Sequence, residues 1–103
     1  MTQKPQFTIR IRFLLFGEAG RSKTLPSGCQ SFLGVAGDLT PCTVWGSSED
    51  EIFKSCRVHD VGIELRFWDQ YKGKVSIGTA VTLFDEGKQR IGTGVVIAMN
   101  SPH

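Results

Sequence analysis

Phe7-Thr8-Ile9-Arg10-Ile11-Arg12-Phe13 is the stretch that decides the fold. Phe7, Ile9, Ile11, Phe13 and, further on, Leu15 fall on one side; Thr8, Arg10 and Arg12 fall on the other. A period of two, built from aromatic and β-branched residues, marks a strand with one face in a core and one in water. Gly17 and Gly20 then break it.

Similar signals recur downstream. Val61, Ile63, Leu65 and Phe67 alternate with Gly62, Glu64, Arg66 and Trp68, which predicts a second half-buried strand. Gln30 to Ala36 reads as a strand ended by Gly37-Asp38. Thr40 to Trp45 is a short strand, with Pro41 near its start, where a strand tolerates proline. Ile52 to Cys56 reads as a short strand or an edge, and Asp69 to Lys74 as a turn. Thr79 to Phe84 and Arg90 to Met99 flank Asp85-Glu86-Gly87-Lys88, so they form a hairpin. No segment carries a 3.6-residue period of helical length. About six strands at regular spacing predict an all-β barrel or sandwich. Gly92 and Gly94 face the same side of the last strand, which favours a closed barrel with a coiled corner there.

The chain has 103 residues, 40% hydrophobic and 21% charged. That is one globular domain, 1–103, with its core over about 7–99 and short polar tails. No apolar run approaches the roughly 18 residues a membrane helix needs. Arg10 and Arg12 interrupt the first apolar stretch, which argues against a secretory leader. The three cysteines, Cys29, Cys42 and Cys56, are odd in number and widely spaced, so reduced thiols in the cytoplasm are expected. A formal charge of +2 permits contact with nucleic acid without demanding it.

Three constellations bear on chemistry. Gly17-Glu-Ala-Gly-Arg-Ser22-Lys23-Thr24 is one residue from a phosphate-binding loop. Leu25-Pro26-Ser27-Gly28 follows it, however, and cannot open the long helix such a loop requires. The segment reads as a basic surface loop, and no nucleotide cofactor is expected. Cys42, Cys56, His59 and Asp60 contain metal-ligand types, but no second closely spaced pair exists, so no metal is expected. His59 and Asp60 are adjacent on an extended segment and point to opposite faces, so Asp60 does not orient His59 as in a catalytic triad. His59 reads as an exposed turn residue and the chain as no enzyme.

What remains is binding. Arg10, Arg12, Arg21, Lys23, Lys88 and Arg90 are basic groups that stand among Trp45, Trp68 and Tyr71. That combination can hold a nucleic-acid backbone or stack on a base. Leu14, Phe16, Trp45 and Trp68 are apolar residues off the main alternating faces, and they are candidates for a protein contact.

The segment Asp85-Glu-Gly-Lys-Gln-Arg-Ile-Gly-Thr-Gly-Val-Val96 resembles the closing segment of the third, C-terminal domain of elongation factor Tu. Glu86, Gly87, Gly92, Gly94, Val95 and Val96 stand in that family's places. Gly20-Arg21-Ser22-Lys23-Thr24, followed by Gly28 and Phe32, looks like that domain's first long loop, so the likeness runs from about Phe7 to Met99. The resemblance implies a six-stranded antiparallel closed barrel of Greek-key type. In the family this barrel leans on a second barrel and a GTPase domain, and one edge meets the backbone of aminoacyl-tRNA. Carried over, the tRNA-facing positions are Arg21, Glu86 and Gly87, with Lys23, Lys88 and Arg90 beside them. The expectation is a free-standing, non-catalytic binding module, translation-related, that docks a protein partner or itself through an aromatic edge. The alternative is tRNA-backbone binding through the basic loops.

Overall fold

The computed structural model describes residues 5–14, 25–48, 50–53 and 57–100. Eight strands and one helical turn follow in order: β1 Phe7–Phe13, β2 Leu25–Pro26, β3 Cys29–Val35, β4 Asp38–Trp45, β5 Ile52–Phe53, β6 Val58–Leu65, α1 Trp68–Tyr71, β7 Ala80–Phe84 and β8 Arg90–Met99. Six of the strands close into an antiparallel barrel in the order β1-β6-β4-β3-β7-β8. The three consecutive strands β3, β4 and β6 lie side by side, and β7 returns to lie beside β3. That is a Greek key.

The opening stretch behaves as its alternation dictates. Phe7, Ile9, Ile11 and Phe13 are wholly buried, whereas Arg10 and Arg12 are exposed. Leu33, Val35, Cys42, Val44, Val61, Ile63, Leu65, Val81, Leu83, Ile91 and Val96 complete the filling from the other strands. A six-stranded barrel is narrow enough for side chains alone to fill it. Fully burying one such side chain stabilises by roughly 1.5–3 kcal/mol.

Each mouth has its own plug. At one, β2 and β5 pair as a two-stranded strap, Leu25 opposite Phe53 and Pro26 opposite Ile52. The strap drops Phe53 onto Phe13, with ring centroids 5.4 Å apart and nearly parallel. At the other, α1 sets Trp68 against Phe7 at 5.8 Å and buries Tyr71. Strand β6 therefore ends at Leu65, three residues earlier than alternation predicts, and Phe67 turns outward, 45% exposed. Trp68 belongs to the helical turn and not to the strand. Four residues are too few to show a helical period in sequence.

Closure depends on β8. A Cβ at Gly94 would stand 2.5 Å from the Arg10 carbonyl oxygen, and one at Gly92 would stand 2.8 Å from the Ile11 side chain. The paired glycines are thus explained by close approach of β1. The irregular step in this pairing falls elsewhere, between Thr8 and Ile9, opposite Ala98 and Val96. Among the described residues, no helix is long and apolar enough to cross a membrane.

Candidate functional site

Because side chains fill the barrel, the described residues offer a ligand their outer surface. That surface is divided by chemistry. The outer side of β1 and β6 presents Thr8, Arg10, Arg12 and Asp60, and Arg10 grips Asp60 through two hydrogen bonds of 2.9 and 3.1 Å. The outer side of β4, β3 and β7 presents Leu39, Pro41, Trp45, Phe32, Gly34, Ala80 and Phe84. Here the residues that alternate away from the core are largely apolar, which is unusual for a solvated wall.

Trp68 lines one open groove, and Trp45 is tied to that groove through Glu64. The indole of Trp45 donates from Nε1 to Glu64 Oε1 at 2.9 Å. Its ring fits over Gly28, where a Cβ would lie 3.0 Å from Trp45 Cζ3. Glu64 then forms part of a groove also lined by Gln6, Arg66, Phe67, Trp68 and Gln70. The chain before β1 shapes this groove too: Gln6 Oε1 accepts from the Leu65 N–H at 2.7 Å. No hydrogen bond or ion pair holds the exposed Arg66 side chain among the described residues. Trp45 and Trp68 are themselves half-buried, and the exposed apolar member of the set is Phe67.

The β7–β8 turn holds Glu86, Gly87, Lys88 and Arg90, all exposed. Asp85 organises it. Its carbonyl accepts from the Lys88 N–H at 2.8 Å, and its Oδ1 accepts from the Gln89 N–H at 2.8 Å. The residue in the left-handed region is Lys88, at φ 66°, and not the neighbouring Gly87. Lys88 reaches back over β3 and sets its ammonium 5.5 Å from the centre of the Phe32 ring.

The remaining sequence candidates are dispersed. Leu14 is half-buried at the end of β1 and donates its N–H to the Ile91 carbonyl at 2.8 Å. Phe16, Arg21, Lys23 and Cys56, with the whole Gly17 to Thr24 loop, lie outside the described residues. His59 is not an exposed turn residue. It lies in β6, half-buried, edge-on to both Phe13 and Phe53, with Nδ1 3.2 Å from Glu51 Oε2. Asp60, next to it, points the other way to Arg10. Cys42 faces the interior of the barrel, where burial pushes its thiol up to about 12. Burial also raises Cys29, the half-buried thiol at the start of β3.

Sequence reasoning missed Phe32 and Phe84 as surface residues. They are directly opposite one another across the β3–β7 pairing. That pairing joins strands far apart in the chain, so no local pattern announces it. No protein-family model matches the chain, and no curated protein matches it.

Proposed function

We propose that the protein is a non-catalytic binding module that docks a protein partner through the groove at Trp68 and the neighbouring Trp45. The observation that carries this reading is a groove lined by Glu64, Arg66, an exposed Phe67 and Trp68, with Trp45 bonded to Glu64 and no partner for the Arg66 side chain among the described residues. Aromatic residues and arginine are the types enriched at the centres of protein interfaces. Gln6 and Gln70 add amides at the rim, able to meet the backbone of an extended segment. Cys29 and Cys42 are both unpaired, which suits a reducing compartment such as the cytoplasm.

Phe67→Ser and Arg66→Glu test the reading, because both side chains are exposed and neither supports the core. Affinity capture from lysate is run with the parent chain and both variants, beside light scattering of each over a concentration series. A partner, or a second copy, held by the parent and released by both variants supports the groove. Equal capture by all three chains, or a strict monomer that retains nothing, rejects it.

A further inference from the structure

We propose that the outer wall of β3 and β7, with the β7–β8 turn at its rim, is a stacking platform for single-stranded nucleic acid. Its aromatic residues, Phe32 and Phe84, do not line the groove at Trp68, and the proposal does not depend on that groove.

Lys88 stands at the rim of this wall with a positive φ. A non-glycine residue in the left-handed region carries a backbone cost of about 1 kcal/mol or more, and glycine would remove it. Gly87 stands one position away, so the strain falls on the one residue whose side chain reaches the wall. What that side chain gains is its position over Phe32.

Phe32 is only one half of the platform. Phe84 faces it directly across the pairing, and Arg90 is the residue opposite Phe84 on β8. The Phe84 ring extends over Gly34, where a Cβ would come within 3.1 Å of Phe84 Cε1. Beside it an open depression is lined by Gly34, Leu39, Ala80, Thr82 and Phe84. Gln30 and Thr43, joined side chain to side chain at 3.2 Å, continue the same outer surface with amide and hydroxyl groups.

Two aromatic residues on neighbouring strands, each with a cation beside it, fit a polyanion whose units carry planar rings. Base–aromatic stacking tolerates any base, and the cations follow the phosphates. The turn alone is a poor phosphate clamp, because Glu86 stands in it with Lys88 and Arg90. The exposed parts of these two half-buried rings must therefore supply most of the affinity, and weak binding with a shallow salt dependence is expected.

The test is fluorescence anisotropy with labelled ten-nucleotide RNA and DNA strands of mixed sequence, at low and physiological salt. An abasic strand of the same length and an acidic peptide serve as comparisons. The parent chain binds the base-bearing strands with a dissociation constant on the order of 10 µM at low salt. Phe32→Leu and Phe84→Leu, which keep the wall apolar, each weaken that binding about ten-fold and leave the abasic strand unaffected. Lys88→Gly weakens it several-fold and lowers the salt slope by about one, while raising Tm by relieving backbone strain. With Tm unchanged or raised in Lys88→Gly, its loss of binding is not a loss of structure. A preference between RNA and DNA strands shows whether the 2′-hydroxyl is read. The proposal falls if the parent chain does not bind, if the abasic strand or the acidic peptide binds as well, or if the two leucine variants bind like the parent.

Discussion

Glu51 Oε2 lies 3.2 Å from His59 Nδ1, which ties the strap across one barrel mouth to strand β6. The same carboxylate accepts the Ser47 N–H and hydroxyl through Oε1. Glu51 also accepts the Ser27 N–H at its carbonyl, at 2.9 Å. One residue thus joins the loop after β4, the strap and the barrel wall.

Acid weakens this arrangement, and the sign follows from the carboxylates. The Ser47 N–H, then the Ser47 hydroxyl and His59, hold the Glu51 carboxyl below its ordinary 4.5. The Arg10 side chain holds Asp60 below its ordinary 3.8. A depressed folded-state value contributes stability that is complete above the unfolded-state value and is lost as pH falls through the folded-state one. Melting temperatures are therefore expected to be flat above about pH 5 and to fall below about pH 4. Asp60 is 49% exposed and Glu51 23%, so solvent screens both and each effect is modest. Glu51→Gln keeps oxygen and amide at the site without the titration, and its acid limb should be shallower than the parent's.

The β3–β4 turn carries a correctable strain. Val35 pairs with Asp38, leaving Ala36 and Gly37 as a two-residue loop with φ of 55° and 81°. Two positive φ values are the signature of a type I′ turn, which asparagine-glycine fits and alanine-glycine does not. Ala36→Asn is expected to stabilise the protein by about 0.5–1 kcal/mol, read from urea midpoints at unchanged m.

Gly94 should tolerate no side chain. A methyl there meets the backbone of Arg10 and Ile11, at 2.5 and 2.9 Å, and neither can step aside without opening the β1–β8 pairing. Gly94→Ala is expected to cost about 3 kcal/mol or to prevent folding. Gly73→Ala is the matched control, since a Cβ there meets nothing within 4 Å. Denaturation curves of the two variants should differ sharply.

Cys42 should be inert in the folded state. Its thiol, pushed up to about 12 by burial, supplies almost no thiolate at pH 8. Iodoacetamide labelling followed by peptide mapping is expected to leave Cys42 unmodified until denaturant is added. Cys29, half-buried and also raised, should react slowly.

The strands were legible wherever a local period exists. In β1 and β6 the residues that alternate toward one side are the ones buried, and β8 runs over Arg90–Met99 as its hairpin reading requires. Legibility ended where the cause is not local. Leu25–Pro26 looked like loop because it pairs only with Ile52–Phe53, across the barrel mouth. Phe67 followed the β6 period but is exposed, because α1 turns the chain to plug the other mouth with Tyr71. Trp45 and Trp68 stood out by residue type, yet Glu64, which bonds Trp45 and lines the groove with Trp68, is placed only once β4 and β6 are in register. Phe32 and Phe84 each look like ordinary strand residues until β3 and β7 meet.

The pairing of the first barrel strand with the last has a mechanical corollary. Phe7 is matched with Met99, and Asn100 is bonded through its N–H to Gln6 and through its amide to Thr8. Tension applied at residues 5 and 100 bears on a single rung at a time, so the cylinder opens like a zipper at low force. Anchored instead at residue 5 and at the β7–β8 turn near Gly87, the same β1–β8 pairing would be pulled from opposite ends, load many rungs together and resist.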